Sequence, residues 1–215
     1  MKKIIVVILA VFLLVTVLSA CGSTSTLTIP PNTTDITVST GYQPGKWTVN
    51  GYTSEWLNLS FSKGNKFKTT NESIEITKQF NEAKKQNDPY AEIIEMEFKW
   101  LDGTDTPITL VVDPLNDKTL TVKDCVAELN KESQSFYEKY KIEVVAHSEK
   151  EVTFLEETYL QYYEKTTSFG KTYERYMLCR IKDGYLIRIN FYTEESKMDL
   201  EFFLSCFSTL NSSSK

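Results

Sequence analysis

Apolar and polar positions follow two different rhythms along this chain, and each change of rhythm marks an element. Leu57, Leu59 and Phe61 alternate with Asn58 and Ser60, the period of two expected of a strand. Residues 62–70 are polar and read as a loop. A weakly amphipathic helix is expected near 72–86, with Ile76, Phe80 and Ala83 on one face. Alternation returns from Tyr90 to Leu101 and sets Ile94, Met96, Phe98 and Trp100 on one side. A further strand is expected from Thr106 to Val112, after the turn Asp102-Gly103-Thr104-Asp105.

The second half is patterned more strongly. Val122, Cys125, Val126, Leu129 and Phe136 form one stripe of a helix expected over 122–138, capped by Thr121 with Asp124 in its acidic first turn. Short strands follow at Ile142–Ala146, Glu151–Leu155, Thr158–Lys165, Tyr173–Ile181 and Tyr185–Tyr192. A closing helix near 195–210 carries Met198, Phe202, Phe203, Cys206, Phe207 and Leu210 on its apolar stripe.

The last two strands can be placed in register. A two-residue turn at Asp183-Gly184 sets Cys179 opposite Arg188 and Met177 opposite Asn190, mixing apolar with polar partners. A three-residue loop, Lys182-Asp183-Gly184, pairs Ile181 with Tyr185, Cys179 with Ile187 and Met177 with Ile189. The second register builds one clean apolar face and is the one expected.

The N-terminus follows a different logic. Met1-Lys2-Lys3 precedes an uncharged apolar run from Ile4 to Val17. As a helix, that run rises only about 21 Å, short of the ~30 Å hydrocarbon core, so it suits a signal-peptide core better than a spanning helix. It ends in Leu18-Ser19-Ala20-Cys21, which resembles the lipobox of bacterial lipoproteins. That resemblance implies cleavage between Ala20 and Cys21 and attachment of a diacylglyceryl group, carrying fatty acids such as palmitate, to the Cys21 sulfur. Residues 1–20 are then a signal peptide. Residues 21–45, rich in Ser, Thr, Pro and Gly, form the lipidated cysteine and a flexible tether. The location implied is the cell membrane, lipid-anchored on its extracytoplasmic face.

The helix, the strands ending in Gly184-Tyr185-Leu186-Ile187-Arg188-Ile189-Asn190-Phe191, and the Phe-rich terminal helix resemble the PsbP-like domain of small Gram-positive lipoproteins. The resemblance covers about residues 47–211 and is clearest from 119 onward. It implies an α+β fold, a central antiparallel sheet flanked by helices in an α/β/α sandwich. The globular domain is accordingly expected over 46–211, with 212–215 as a tail. The resemblance implies a fold and no activity.

Charge and composition narrow the function. Removing residues 1–20 takes away two of the 24 basic residues and none of the 29 acidic ones, so the net charge of −5 becomes −7. That balance argues against nucleic acid as a partner. Cys125, Cys179 and Cys206 remain after Cys21 is assigned, with no metal-binding spacing. They can be small buried hydrophobes, one disulfide plus a free thiol, or a reactive site. The single histidine, His147, reads as an exposed strand-end residue, and neither a catalytic residue, a metal nor a cofactor is expected.

Two constellations remain. Glu95 and Glu97 share a face in a regular strand, with Glu92 on the other, and a convergent carboxylate pair could serve a hydrolase of envelope glycan or peptide. Seven of the 12 tyrosines fall between Tyr159 and Tyr192. Of these, Tyr159, Tyr163, Tyr176 and Tyr192 are a possible ligand surface, or else half-buried strand formers. The expected function is a non-enzymatic binding module with an unknown protein or cell-envelope partner, held to the membrane by its lipid. The alternatives are that hydrolase and a small solute-binding lipoprotein, although the 195 residues after Ala20 leave little room for two lobes.

Overall fold

The computed structural model describes residues 41–101, 107–194 and 199–210. The lipobox, most of the tether, the Asp102–Asp105 turn and Met198 lie outside the described residues. Within them the chain is mainly β-structure. Two strands, β1 (Lys46–Thr48) and β2 (Gly51–Ser54), are followed by β3 (Leu59–Ser62) and β4 (Phe67–Lys68). Helix α1 (Asn71–Asn87) leads to β5 (Ile93–Trp100) and β6 (Ile108–Pro114), and α2 (Val122–Tyr140) follows. Four long strands come next: β7 (Glu143–Phe154), β8 (Glu157–Ser168), β9 (Lys171–Lys182) and β10 (Tyr185–Glu194). A short α3 (Leu200–Ser205) and β11 (Phe207–Ser208) close the described chain.

These strands form two antiparallel sheets, β1-β2-β3-β11 and β4-β5-β6-β10-β9-β8-β7. The small sheet covers one face of the large one. Tyr52, Leu59 and Phe61 pack there against Met96, Phe98, Leu110, Ile187, Ile189 and Phe191, and Phe203 and Phe207 join them. The opposite face carries the two long helices, with Cys125 and Val126 of α2 packed on Leu160, Tyr162, Met177, Cys179 and Leu186. The expected α/β/α sandwich is therefore overturned: the two long helices lie on one face only, and a second sheet, joined by the short α3, occupies the other. The aromatic side chains explain the exchange. The Phe61 ring centre lies 4.5 Å from that of Phe98 and 4.9 Å from that of Phe207, so even short strands bring large apolar rings to the core.

Burial on both faces also decides the β9–β10 register. Asp183 (φ 52°) and Gly184 (φ 83°) form a two-residue turn with both central residues left-handed, the hairpin geometry that matches strand twist. Cys179 consequently pairs with Arg188, Met177 with Asn190, and Arg180 with Ile187. The three-residue loop and its Cys179–Ile187 pairing are corrected. One clean apolar face was the wrong criterion, because Tyr185, Ile187, Ile189 and Phe191 meet the small sheet while Leu186 meets α2.

Other boundaries move for local reasons. In β5 a bulge falls between Ile94 and Met96, so Ile93, not Ile94, shares the core face with Met96 and Phe98. Leu57 and Asn58 belong to a turn ahead of β3, with Asn58 at φ 49°, although Leu57 is buried as the alternation required. Helix α1 is capped by a Thr70–Ser73 box, and its inward side runs through Ile74, Thr77, Phe80 and Asn81. Ile76 is 59% exposed and Ala83 is exposed, so that expected face turns outward. Helix α2 runs two residues beyond its expected end, with the Thr121–Asp124 box and the predicted stripe in place. The expected terminal helix shortens to α3, because Phe207 leaves it to pair with Phe61 in β3. The two strands expected at 142–146 and 151–155 are one continuous β7. Packing also begins ahead of Lys46, since Tyr42 lies against Trp56 and Tyr185, each at 5.2 Å.

Candidate functional site

The β5 bulge separates the carboxylates that an even strand would have paired. Glu95 turns toward the small sheet, where the Tyr42 and Tyr52 hydroxyls donate to it and the Gly45 amide donates at 2.9 Å. Burial pushes its carboxyl above the ordinary value, and the Gly45 hydrogen bond only partly offsets this. Glu97, paired with Thr109, faces the other way and borders a cavity of about 260 Å³ with Lys68, Thr70, Ser73 and Lys99. Glu95 and Glu97 therefore do not converge, and the arrangement that a glycosidase pair requires is not formed by them.

Glu92 belongs to a chain of alternating charges on the helix side. Lys84 donates to it at 2.7 Å, Arg188 donates to it at 2.8 Å, and Arg188 grips Asp113 at 2.5 and 2.8 Å. Burial alone would lower the Arg188 pKa, but the facing Asp113 and Glu92 carboxylates outweigh it and push it up. An open cavity of about 320 Å³ lies beside this chain, bordered also by Asn87, Tyr90 and Glu132. A second buried acid, Glu164, accepts from the Tyr137 hydroxyl, from the Tyr162 hydroxyl at 3.0 Å, and from Arg175 at 3.3 Å. It fastens α2 to the sheet. Both networks use their charges on one another, the arrangement buried charges need for stability.

Neither network is expected from the sequence pattern. The local signal is a charge inside an apolar run, as at Arg188 in Tyr185-Leu186-Ile187-Arg188-Ile189.

The remaining candidates are dispersed. His147 lies exposed within β7, not at its end. Cys125, Cys179 and Cys206 are free thiols. Burial raises the pKa of each, that of Cys179 to about 12, which makes them poor nucleophiles. Among the described residues no group of three or more His, Cys, Asp or Glu side chains is placed to hold a metal ion.

The four tyrosines do not form one surface. Tyr159 is buried under the small sheet with the Arg180 guanidinium 5.1 Å from its ring centre, which removes it as a ligand contact. Tyr163 and Tyr176 are cross-strand partners 4.8 Å apart, half-buried on that same face of the sheet. Tyr192 lies on the helix side, stacked on Tyr173 at 5.4 Å.

The surface that does stand out is next to the Tyr163–Tyr176 pair. Strand β7 is twelve residues long and forms the outer edge of the large sheet among the described residues. Glu143 through Glu151 are all exposed, and only Val152 and Phe154 reach the core. Val145 is 54% exposed, and Phe169, in the β8–β9 turn, is 75% exposed. The polar run His147-Ser148-Glu149-Lys150 separates two expected strands in sequence, because a strand wetted on both faces needs no apolar alternation. The chain matches no protein-family model and no curated protein.

Proposed function

We propose that this protein is an exported lipoprotein, anchored through Cys21 to the extracytoplasmic face of the membrane, whose globular part is a non-enzymatic binding module. The observation that carries the binding half is β7, a twelve-residue strand with one ladder partner among the described residues, β8, and with Glu143 through Glu151 all exposed. Long open edges of this kind are usable templates for another chain. The anchoring half is supported by the Lys2-Lys3 start, the short apolar run and Leu18-Ser19-Ala20-Cys21. Among the described residues no helix is long and apolar enough to cross a membrane.

Labelling the source bacterium with radioactive palmitate tests the anchor. The wild-type band should carry label and the Cys21→Ala band should not; label on the variant contradicts the anchor. A photo-cross-linking residue at His147 tests the module. Adducts should form in living cells from that position and not from Glu82 on the outer side of α1. No adduct from His147 contradicts a binding role for β7.

A further inference from the structure

We propose that β7 takes up an extended polypeptide bearing basic side chains at alternate positions, which joins the large sheet as an additional edge strand. The proposal rests on the binding-module reading and specifies its partner's chemistry.

The edge geometry follows from the hairpin that leads into β8. Leu155 (φ 49°) and Glu156 (φ 66°) form a two-residue left-handed turn, and Phe154 pairs with Glu157. In such a hairpin the pair flanking the turn exchanges both backbone hydrogen bonds, and pairs alternate from there. Phe154, Val152, Lys150, Ser148 and Ala146 therefore spend their backbone groups on β8. Thr153, Glu151, Glu149 and His147 turn their N–H and C=O groups outward. The ladder is regular over this stretch, because the one irregularity in the pairing lies between Val144 and Ala146.

The residues with outward backbone groups are also those whose side chains share a face. His147, Glu149 and Glu151 stand opposite Glu164, Tyr162 and Leu160 on β8, and all three are exposed. Two carboxylates thus flank hydrogen-bonding positions that have no strand partner among the described residues. An incoming strand sets its own side chains about 5 Å from these, where opposite charges attract and like charges repel. Basic residues at alternate positions satisfy both glutamates at once.

A second copy of this chain fits less well. Pairing two β7 strands about a two-fold axis centred on the regular stretch sets Lys150 against Lys150 and Glu149 against Glu151. In that register, which uses the whole regular stretch, like charges oppose one another at the central positions.

The test uses the full chain in detergent micelles and two fluorescent heptapeptides, Thr-Lys-Val-Lys-Val-Lys-Thr and Thr-Glu-Val-Glu-Val-Glu-Thr, at low salt. The basic peptide should bind at least roughly tenfold more tightly. The Glu149→Lys/Glu151→Lys variant should reverse that preference. Glu149→Pro removes an outward N–H without touching the β8 ladder, so it should abolish binding with an unchanged melting temperature. If Glu149→Pro proves unstable, the charge-reversal variant decides alone.

Equal affinity for both peptides, no reversal, or full binding by a folded Glu149→Pro protein overturns the proposal. Concentration-dependent dimers lost in Glu149→Pro overturn it in favour of the second copy. If His147 cross-links to a partner in cells while the basic peptide fails to bind, the binding module stands and the basic strand falls. If both fail, both readings fall.

Discussion

Arg188 of β10 holds Asp113 of β6 through two parallel hydrogen bonds, at 2.5 and 2.8 Å, across a ladder in which Arg188 itself pairs with Val111. The guanidinium side chain is only 12% exposed and the carboxylate 19%. Two central strands are thereby joined by a charge pair as well as by their backbones.

Breaking that pair from one side leaves buried charge uncompensated. Arg188→Met strands Asp113 and leaves Glu92 with Lys84 alone, and should cost about 3–5 kcal/mol in a urea titration. Combining it with Asp113→Leu should recover part of the loss. A loss below about 1 kcal/mol from Arg188→Met would show that the network is solvated.

Glu95 makes a prediction about pH. Its carboxyl has a raised pKa in the folded protein because it is buried, so the native state binds its proton more tightly than the unfolded chain does. Its contribution to stability is full below the unfolded value and is lost as pH rises through the folded one. Glu95→Gln stays neutral at every pH. The difference in melting temperature, variant minus wild type, should therefore increase as pH rises from about 4 to 7. A difference that stays flat over this range contradicts the burial of this group.

The packed structure begins earlier than the composition of residues 22–45 implies. Tyr42 packs on Trp56 and Tyr185 and donates to Glu95. Tyr42→Ala removes a large ring and one donor to a buried carboxyl, and should cost about 2–4 kcal/mol. Tyr42→Phe keeps the ring and should cost about 1 kcal/mol. Calorimetry of the two variants separates packing from hydrogen bonding, and equal effects would assign the whole contribution to the hydroxyl.

The β9–β10 turn predicts a backbone effect. Gly184 sits at φ 83°, where a β-branched residue is strained, while the space beside it is nearly open, with Lys118 Cε at 3.7 Å. Gly184→Val should therefore destabilise the fold by about 1–3 kcal/mol through strain alone. A neutral Gly184→Val in thermal unfolding would contradict the two-residue turn.

Sequence pattern reached those parts of the molecule where a single periodicity governs burial. The α2 stripe of Cys125, Val126 and Phe136 is such a case, and its Thr121–Asp124 box could be read directly. Pattern failed where two surfaces compete for one element. Strand β10 is buried on both faces, so alternation could not choose its register, and Arg188 looked misplaced until Asp113 was beside it. Phe207 continues a helical stripe in sequence but is taken by Phe61, whose position far upstream local reading could not link to it. The β5 bulge shifts Glu95 by one position and so dissolves the carboxylate pair that the uninterrupted strand implied. Along β7 the difficulty is reversed: an edge in water imposes no pattern, and the exposed strand reads as two short strands joined by a loop.

A photo-cross-linking scan in living cells tests whether β7 is the working surface of a membrane-anchored binding module, with the reactive residue placed in turn at His147, Glu149, Glu151 and, for comparison, at Glu75, Lys78 and Glu82 of α1. All six positions are exposed. A shared adduct should form from the three β7 positions and none from the α1 positions, and the β7 adduct should be lost in Glu149→Pro when the probe is at His147 or Glu151. Adducts from α1 alone, or none from β7 at all, would contradict that role for β7.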